Sequence, residues 1–363
     1  MTRTVRLRAA WAATLLFSGL FSQMAAAQEL VRVSAQESED HDILAPVGDA
    51  VSPPIPIDNL GTWTFTIEND WFASTDQDYT SGLRLSYISG TKDPTGIERA
   101  IARFFEREDY GAVVRRGFAV GHSIFTPRDT LAFEPLPDQH PYAGFLYGEY
   151  AVLVEQTNTI DVITAQLGLV GPDAGGEWFQ NSFHDLIDGE EVNGWDNQIG
   201  NEVIVNLSYD RQMRAARPVA KQRYSVDFMP SYGVSVGNRN TNARVGATVR
   251  FGKDLRRDYG PPRVRPSLAG AGFFTPRKEF SWYIFGGAQV RAVAHDIFLD
   301  GRLGRDDDPQ VEDRNVFVGD AQIGLVGQYD RMQVAYTYVY RSEEFETQDG
   351  GQQFGALSVS WKF

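Results

Sequence analysis

The chain has 363 residues, no cysteine, and 48 acidic against 34 basic side chains, a formal charge of −14. Without cysteine there is neither a disulfide framework nor a thiol nucleophile, and the acidic balance argues against nucleic acid as a partner while suiting divalent cations. Beyond the N-terminus no apolar stretch approaches the roughly 20 residues a membrane helix requires, so an exported chain of this kind is either soluble or a barrel.

Taken in chain order, residues 1–27 carry Arg3, Arg6 and Arg8 ahead of an apolar run from Ala9 to Phe21 and end on Ala25 to Ala27. This is the pattern of a secretory signal peptide cleaved before Gln28. Residues 28–60 mix acids with prolines, show no period, and read as a flexible N-terminal tail. Residues 61–363 change character, with period-two alternation recurring between turn residues.

Twelve alternating segments are predicted as strands: 62–70, 79–90, 115–125, 142–156, 159–170, 202–213, 222–236, 241–252, 280–295, 316–329, 332–343 and the terminal GALSVSWKF. In the last, Leu357, Val359, Trp361 and Phe363 share one face, while Ala356, Ser358, Ser360 and Lys362 share the other. One face suits lipid and the other a polar lumen. Twelve is an even number, each segment is long enough for a tilted crossing, and aromatics gather near the segment ends as interfacial girdles do. The expected fold is therefore all-β, a twelve-stranded antiparallel transmembrane barrel. A terminal aromatic on such a strand resembles the end that outer-membrane assembly machinery recognises.

With both barrel termini in the periplasm, connections 71–78, 126–141, 171–201, 237–240, 296–315 and 344–351 face outside. Two periplasmic connections are longer than the short turns expected there: 91–114, with a predicted helix GIERAIARFFERE, and the Pro-, Gly- and Arg-rich 253–279.

Two constellations could carry chemistry. Asn69 and Asp70 end strand one, and Thr80 lies near the outer end of strand two across a short loop. An amide oxygen, a carboxylate and a hydroxyl brought together by antiparallel pairing suit a hard cation such as calcium, although all three are also ordinary turn residues. The long outer loop from Val170 to Glu202 contains a predicted helix over 177–188, with Phe179, Phe183 and Leu186 or Ile187 as an apolar stripe. Gln180 and His184 are four apart on it and share a face, and Glu190 and Glu191 follow. A histidine held in one tautomer by a carboxylate is a tuned general base. Of the other histidines, His41 and His140 lie in a tail and a loop, His122 and His295 in strands, and none is expected to have a comparable setting.

Two patterns are set aside. Gly233, Ser235 and Gly237 match GxSxG, but a nucleophile elbow needs a strand-to-helix turn and this run is an uninterrupted strand. Ser123 beside His122 suggests a catalytic pair, yet neighbouring strand residues point to opposite faces.

The blocks FTIENDWF, DYTSGLRLSY, VGPDAGG, the QNSFH helix and GWDNQIGNE together resemble the outer-membrane lipid A 3'-O-deacylases, over most of the chain from strand one onward. The resemblance implies a twelve-stranded barrel in the bacterial outer membrane, acting as a monomer on lipid A of lipopolysaccharide in the outer leaflet. It also implies calcium-dependent hydrolysis of the ester holding the acyloxyacyl chain. Matched by motif, its functional positions fall on Asn69, Asp70, Thr80, His184 and Glu190, with Glu191 an ambiguous neighbour for the last. PYAGFLYG, with Tyr142 and Gly144, is a further family signature without an assignable chemical role. The readings that compete are an outer-membrane phospholipase, which requires a serine facing a histidine in the barrel wall, and a non-catalytic porin-like barrel.

Overall fold

The computed structural model describes residues 58–363 apart from 70–77, 92–93, 106–111, 131, 188–191, 220–223, 262–271 and 306–307. The side chains of residues 78–80, 183–187 and 216–219 are also outside the description, as are the segments read as signal peptide and most of the tail. The strands are β1 (Thr62–Asn69), β2 (Asp78–Ile88), β3 (Val113–Thr126), β4 (Ala143–Glu155), β5 (Thr159–Val170), β6 (Glu202–Met213, resuming as Ala215–Val219), β7 (Tyr224–Gly237), β8 (Asn240–Gly252), β9 (Arg277–Asp296), β10 (Phe317–Asp330), β11 (Met332–Arg341) and β12 (Gln352–Lys362).

Every strand pairs antiparallel with its sequence neighbours, and β1 closes the sheet against β12 from Thr62↔Lys362 to Asn69↔Gly355. The two pieces of β6 are one crossing strand. Both pair with β7 in a single continuing register, Gln212↔Ser231 and Ala215↔Phe228. Between those pairs β7 carries Pro230, which has no N–H to donate, so the ladder lapses there and resumes. The barrel thus has the twelve strands expected.

Alternation sorts the side chains. Along β1 Thr62, Thr64 and Thr66 are buried inside, whereas Trp63 and Phe65 are exposed outside. Along β12 Ser358, Ser360 and Lys362 point inward and Val359, Trp361 and Phe363 outward, as the sequence predicted. An apolar wall around a polar interior is the arrangement of a membrane barrel, and the end with the longer loops is extracellular.

The interior is filled with paired charges. In the extracellular half Arg291 bridges Asp320 at 2.8 Å and Glu344 at 2.9 Å, and Arg341 meets Asp320 at 2.6 Å. In the periplasmic half the long connection after β8 folds up into the lumen, which is how it departs from a short turn. Its Asp258 accepts from Arg250 at 2.5 Å, Gln328 at 2.5 Å, Gln333 at 2.7 Å and Tyr283 at 3.0 Å. Tyr259, Phe273 and Phe274 from the same connection are buried there, with Arg115 lying 4.2 Å over the Phe273 ring. Burial pushes the Tyr259 phenol up to about 12.

The described chain starts at Asp58, whose carboxylate pairs with Lys362 and whose carbonyl accepts from Thr91 N at 2.6 Å. The predicted helix of the β2–β3 connection is present as α1, Gly96–Phe105. Glu98 in its first turn accepts from Thr95 N at 2.7 Å, one half of a capping box that starts the helix at this point.

Candidate functional site

The helix predicted in the third extracellular loop is α2, Gly176–Ile187, reached through a 3-10 turn at Pro172–Ala174. It lies against the outer wall of the barrel. His122 of β3 faces outward and donates from Nε2 to the Ala174 carbonyl at 2.9 Å, and its ring packs 5.1 Å from that of Phe179. On β4 the helix start comes so close to Gly144 that a Cβ there would lie 2.9 Å from Gly176 N. Two glycines are what permit backbone contact at this crossing.

A frame built from the signature blocks holds α2 in place. Trp195 donates from Nε1 to Gln180 Oε1 at 3.0 Å, and both side chains are buried. The Trp195 ring packs on Tyr142 at 5.0 Å, and Tyr142 donates its hydroxyl to the Thr130 carbonyl at 3.0 Å. Burial, with Asp129 nearby, raises the Tyr142 phenol well above its ordinary range. Ile199 N donates to the Tyr142 carbonyl at 3.0 Å, and Asn201 Oδ1 accepts from Asp173 N at 3.0 Å. Gly194 has φ +92°, and a Cβ there would meet the Ala132 carbonyl at 2.6 Å, which explains why GWDNQIGNE carries a glycine at that position. Tyr142, Gly144, Gln180 and Trp195 therefore hold α2 against the wall, which gives the PYAGFLYG residues Tyr142 and Gly144 a role that the sequence left unassigned.

The predicted site positions distribute as follows. Asn69 is the last residue of β1, opposite Ser81 of β2 and Gly355 of β12. Thr80 is one residue beyond Ser81 and is the extra residue of a bulge, because β3 pairs Phe125 with Tyr79 and Ile124 with Ser81. His184 is on α2, one turn beyond the Gln180 anchor. These three backbone positions occupy the extracellular end of the barrel, α2 lying over β3 and β4, and β3 pairing with β2. Asp70, Glu190 and Glu191 lie outside the described residues, as do the side chains of Thr80 and His184. The chemistry of the donor set, amide and hydroxyl oxygens beside a carboxylate in the sequence, fits a hard cation.

Both decoys are explained. Ser123 lines the lumen while His122 faces outward, and Ser235 is engaged by Asn206 and Asn240, each at 2.7 Å. One expectation is corrected: His295 does have a carboxylate neighbour, its Nδ1 lying 3.5 Å from Asp300 Oδ2. That carboxylate comes from the short helix Ile297–Asp300, which tertiary packing rather than sequence spacing turns back onto the strand. Inside the barrel, Ser123, Tyr147, Arg239, Arg291 and Arg341 border a small pocket.

The family model of the outer membrane protein LpxR matches residues 15–363. The chain belongs to the LpxR family. Among solved structures it is similar to LpxR from Salmonella typhimurium, with 20% identity, 83% of this chain and 100% of that chain covered, and a TM-score of 0.69. That likeness shows the barrel fold. The β domain of the Bordetella autotransporter Brka is similar at 10% identity over 84% of this chain and 100% of that one, with a TM-score of 0.44. No curated protein matches the chain at a significant level. An LpxR-family barrel with an apolar outer wall resides in the bacterial outer membrane.

Proposed function

We propose that this LpxR-family barrel is a lipid A deacylase, a carboxylic ester hydrolase that removes the 3'-acyloxyacyl chain. The observation that carries the reading is the position of α2. The helix with the candidate general base is clamped to the outside of the barrel at its extracellular end, by His122, Gly144 and Trp195, and not over the lumen. A substrate of the outer leaflet reaches that surface laterally from the membrane.

In this reading His184 takes a proton from water as the water oxygen bonds to the ester carbonyl carbon. Glu190, or its neighbour Glu191, stabilises the resulting imidazolium, which returns the proton to the departing alkoxide. Asp70, Asn69 and Thr80 would hold calcium, which when bound supplies Lewis-acid stabilisation of developing negative charge on the carbonyl oxygen. No covalent serine intermediate is involved. The test is mass analysis of lipid A from cells expressing His184→Ala and Asp70→Ala; loss of deacylation is expected, and full deacylation by both variants would overturn the mechanism. A phospholipase of serine type is less well supported, since Ser123 and His122 face opposite sides of the wall. A porin is less well supported because buried ion pairs and aromatics project into the lumen.

A further inference from the structure

The helix α1 also lies on the outer wall, at the periplasmic end. Glu98 accepts from Tyr150 of β4 at 2.8 Å and from Arg116 of β3 at 3.1 Å. Ala102 packs on Val114, Val152 and Val154. Phe105 stacks on Tyr209 of β6 at 5.4 Å with only 9° between the rings, and its carbonyl accepts from Gln156 at 2.7 Å. The helix therefore runs across the wall from β3 to β6. Beneath it Asp161, in the outward-facing register of β5, is fully buried, with Arg211 at 2.7 Å and Tyr209 at 2.7 Å.

At 100° per residue the helix has three sectors. Glu98, Ala102 and Phe105 meet the barrel. Arg99 and Arg103 form a cationic sector. Ile97, Ala100 and Phe104 form an apolar sector that is exposed among the described residues, Ile97 75% and Phe104 83%.

Depth follows from β3. Its outward side chains are covered by α1 at Val114 and Arg116 and by α2 at His122, leaving Phe118 and Val120 between them. Arg116 and His122 are about 20 Å apart along the strand at roughly 3.3 Å per residue, and about 15 Å apart along the membrane normal for a tilt near 40°. The apolar band of such a barrel is about 25 Å tall. The two helices therefore sit at the edges of the band rather than beyond it.

We infer that α1 is an interfacial helix of the periplasmic leaflet, its Ile97 and Phe104 inserted among acyl chains and its Arg99 and Arg103 facing phospholipid phosphates. Tyr150, which donates to Glu98, packs 5.2 Å from the exposed Phe118 ring, so the lipid-facing wall runs up to the helix, and the cationic sector complements anionic headgroups. This surface is separate from the deacylase site and does not depend on it.

The chain has no cysteine, so single labels are unambiguous. Ile97→Cys, Phe104→Cys and Arg99→Cys, each in the full chain with a nitroxide, are reconstituted into phosphatidylethanolamine–phosphatidylglycerol vesicles, with folding checked by heat-modifiable gel migration. The ratio of oxygen to nickel-chelate collision rates is expected to be at least about threefold higher at positions 97 and 104 than at 99. Nickel-chelate access at 97 and 104 equal to that at 99 would overturn the inference, as would shielding of both positions from both reagents, the result of a second copy or another protein covering the helix.

Discussion

Gly144 of β4 and Gly176 of α2 touch backbone to backbone: a Cβ on Gly144 would sit 2.9 Å from Gly176 N, and one on Gly176 would sit 2.6 Å from the Trp195 ring. The contact sets how closely the His184-bearing helix approaches the barrel wall.

Gly144→Val should lift α2 from the wall while leaving the barrel folded. A displacement of about 1 Å at a catalytic group can cost about 100-fold in rate, so lipid A deacylation by the purified variant should fall by that order. Gly148→Ala on the same strand, where the nearest atom to a new Cβ is 3.8 Å away, should retain wild-type rates. Equal activity in both variants would show that the helix tolerates displacement.

Trp195→Phe keeps most of the ring but removes the N–H that satisfies the buried Gln180 oxygen. An unsatisfied buried acceptor costs about 1–3 kcal/mol. The expected result is faster proteolysis within the loop that carries α2, with barrel strands still protected. Peptide mapping after limited digestion reads this directly.

Asp258 binds the connection after β8 to four groups from β8, β9, β10 and β11 inside the lumen. Removing one partner of a buried ion pair costs about 3–5 kcal/mol. Asp258→Ala should therefore loosen the periplasmic plug. Planar-bilayer recordings should show a closed wild-type protein and step conductance in the variant; open wild-type channels would favour the porin reading.

Although burial opposes its ionisation, Asp308 in the β9–β10 loop is held below the ordinary carboxylate range by Arg302, whose Nε lies 2.7 Å away, and by backbone N–H donors. One of those donors is Gly200 N at 3.2 Å, in the frame around α2. Because the folded pKa is depressed, this contribution is complete above the unfolded value near 3.8 and is lost as pH falls through the lower folded value. Hydrogen exchange at Gly200 and Asn201 should accelerate below that range in the wild type. In Asp308→Asn it should already be fast at pH 7.

Much of the barrel was legible locally. The inward Ser358, Ser360 and Lys362 and the outward Val359 and Trp361 follow from alternation within one strand. The helix of residues 176–187 was read from its apolar spacing to within one residue at each end. The reach of the long periplasmic connection into the lumen was not legible, because the partners of Asp258 are separated from it by up to 75 residues. Nor was His295 beside Asp300, where a short helix reverses the chain.

The order of side chains by itself determined the strand number, the faces turned to lipid and lumen, and the presence of two amphipathic helices, since each depends on periodicity within a few residues. Tertiary structure alone decided that both helices lie on the outside of the wall, that Gly144 meets Gly176, and that Asp258 is held inside the lumen by groups from four strands. Those contacts depend on hydrogen-bond register accumulated around a closed sheet, and closure joins β1 to β12 across nearly the whole chain.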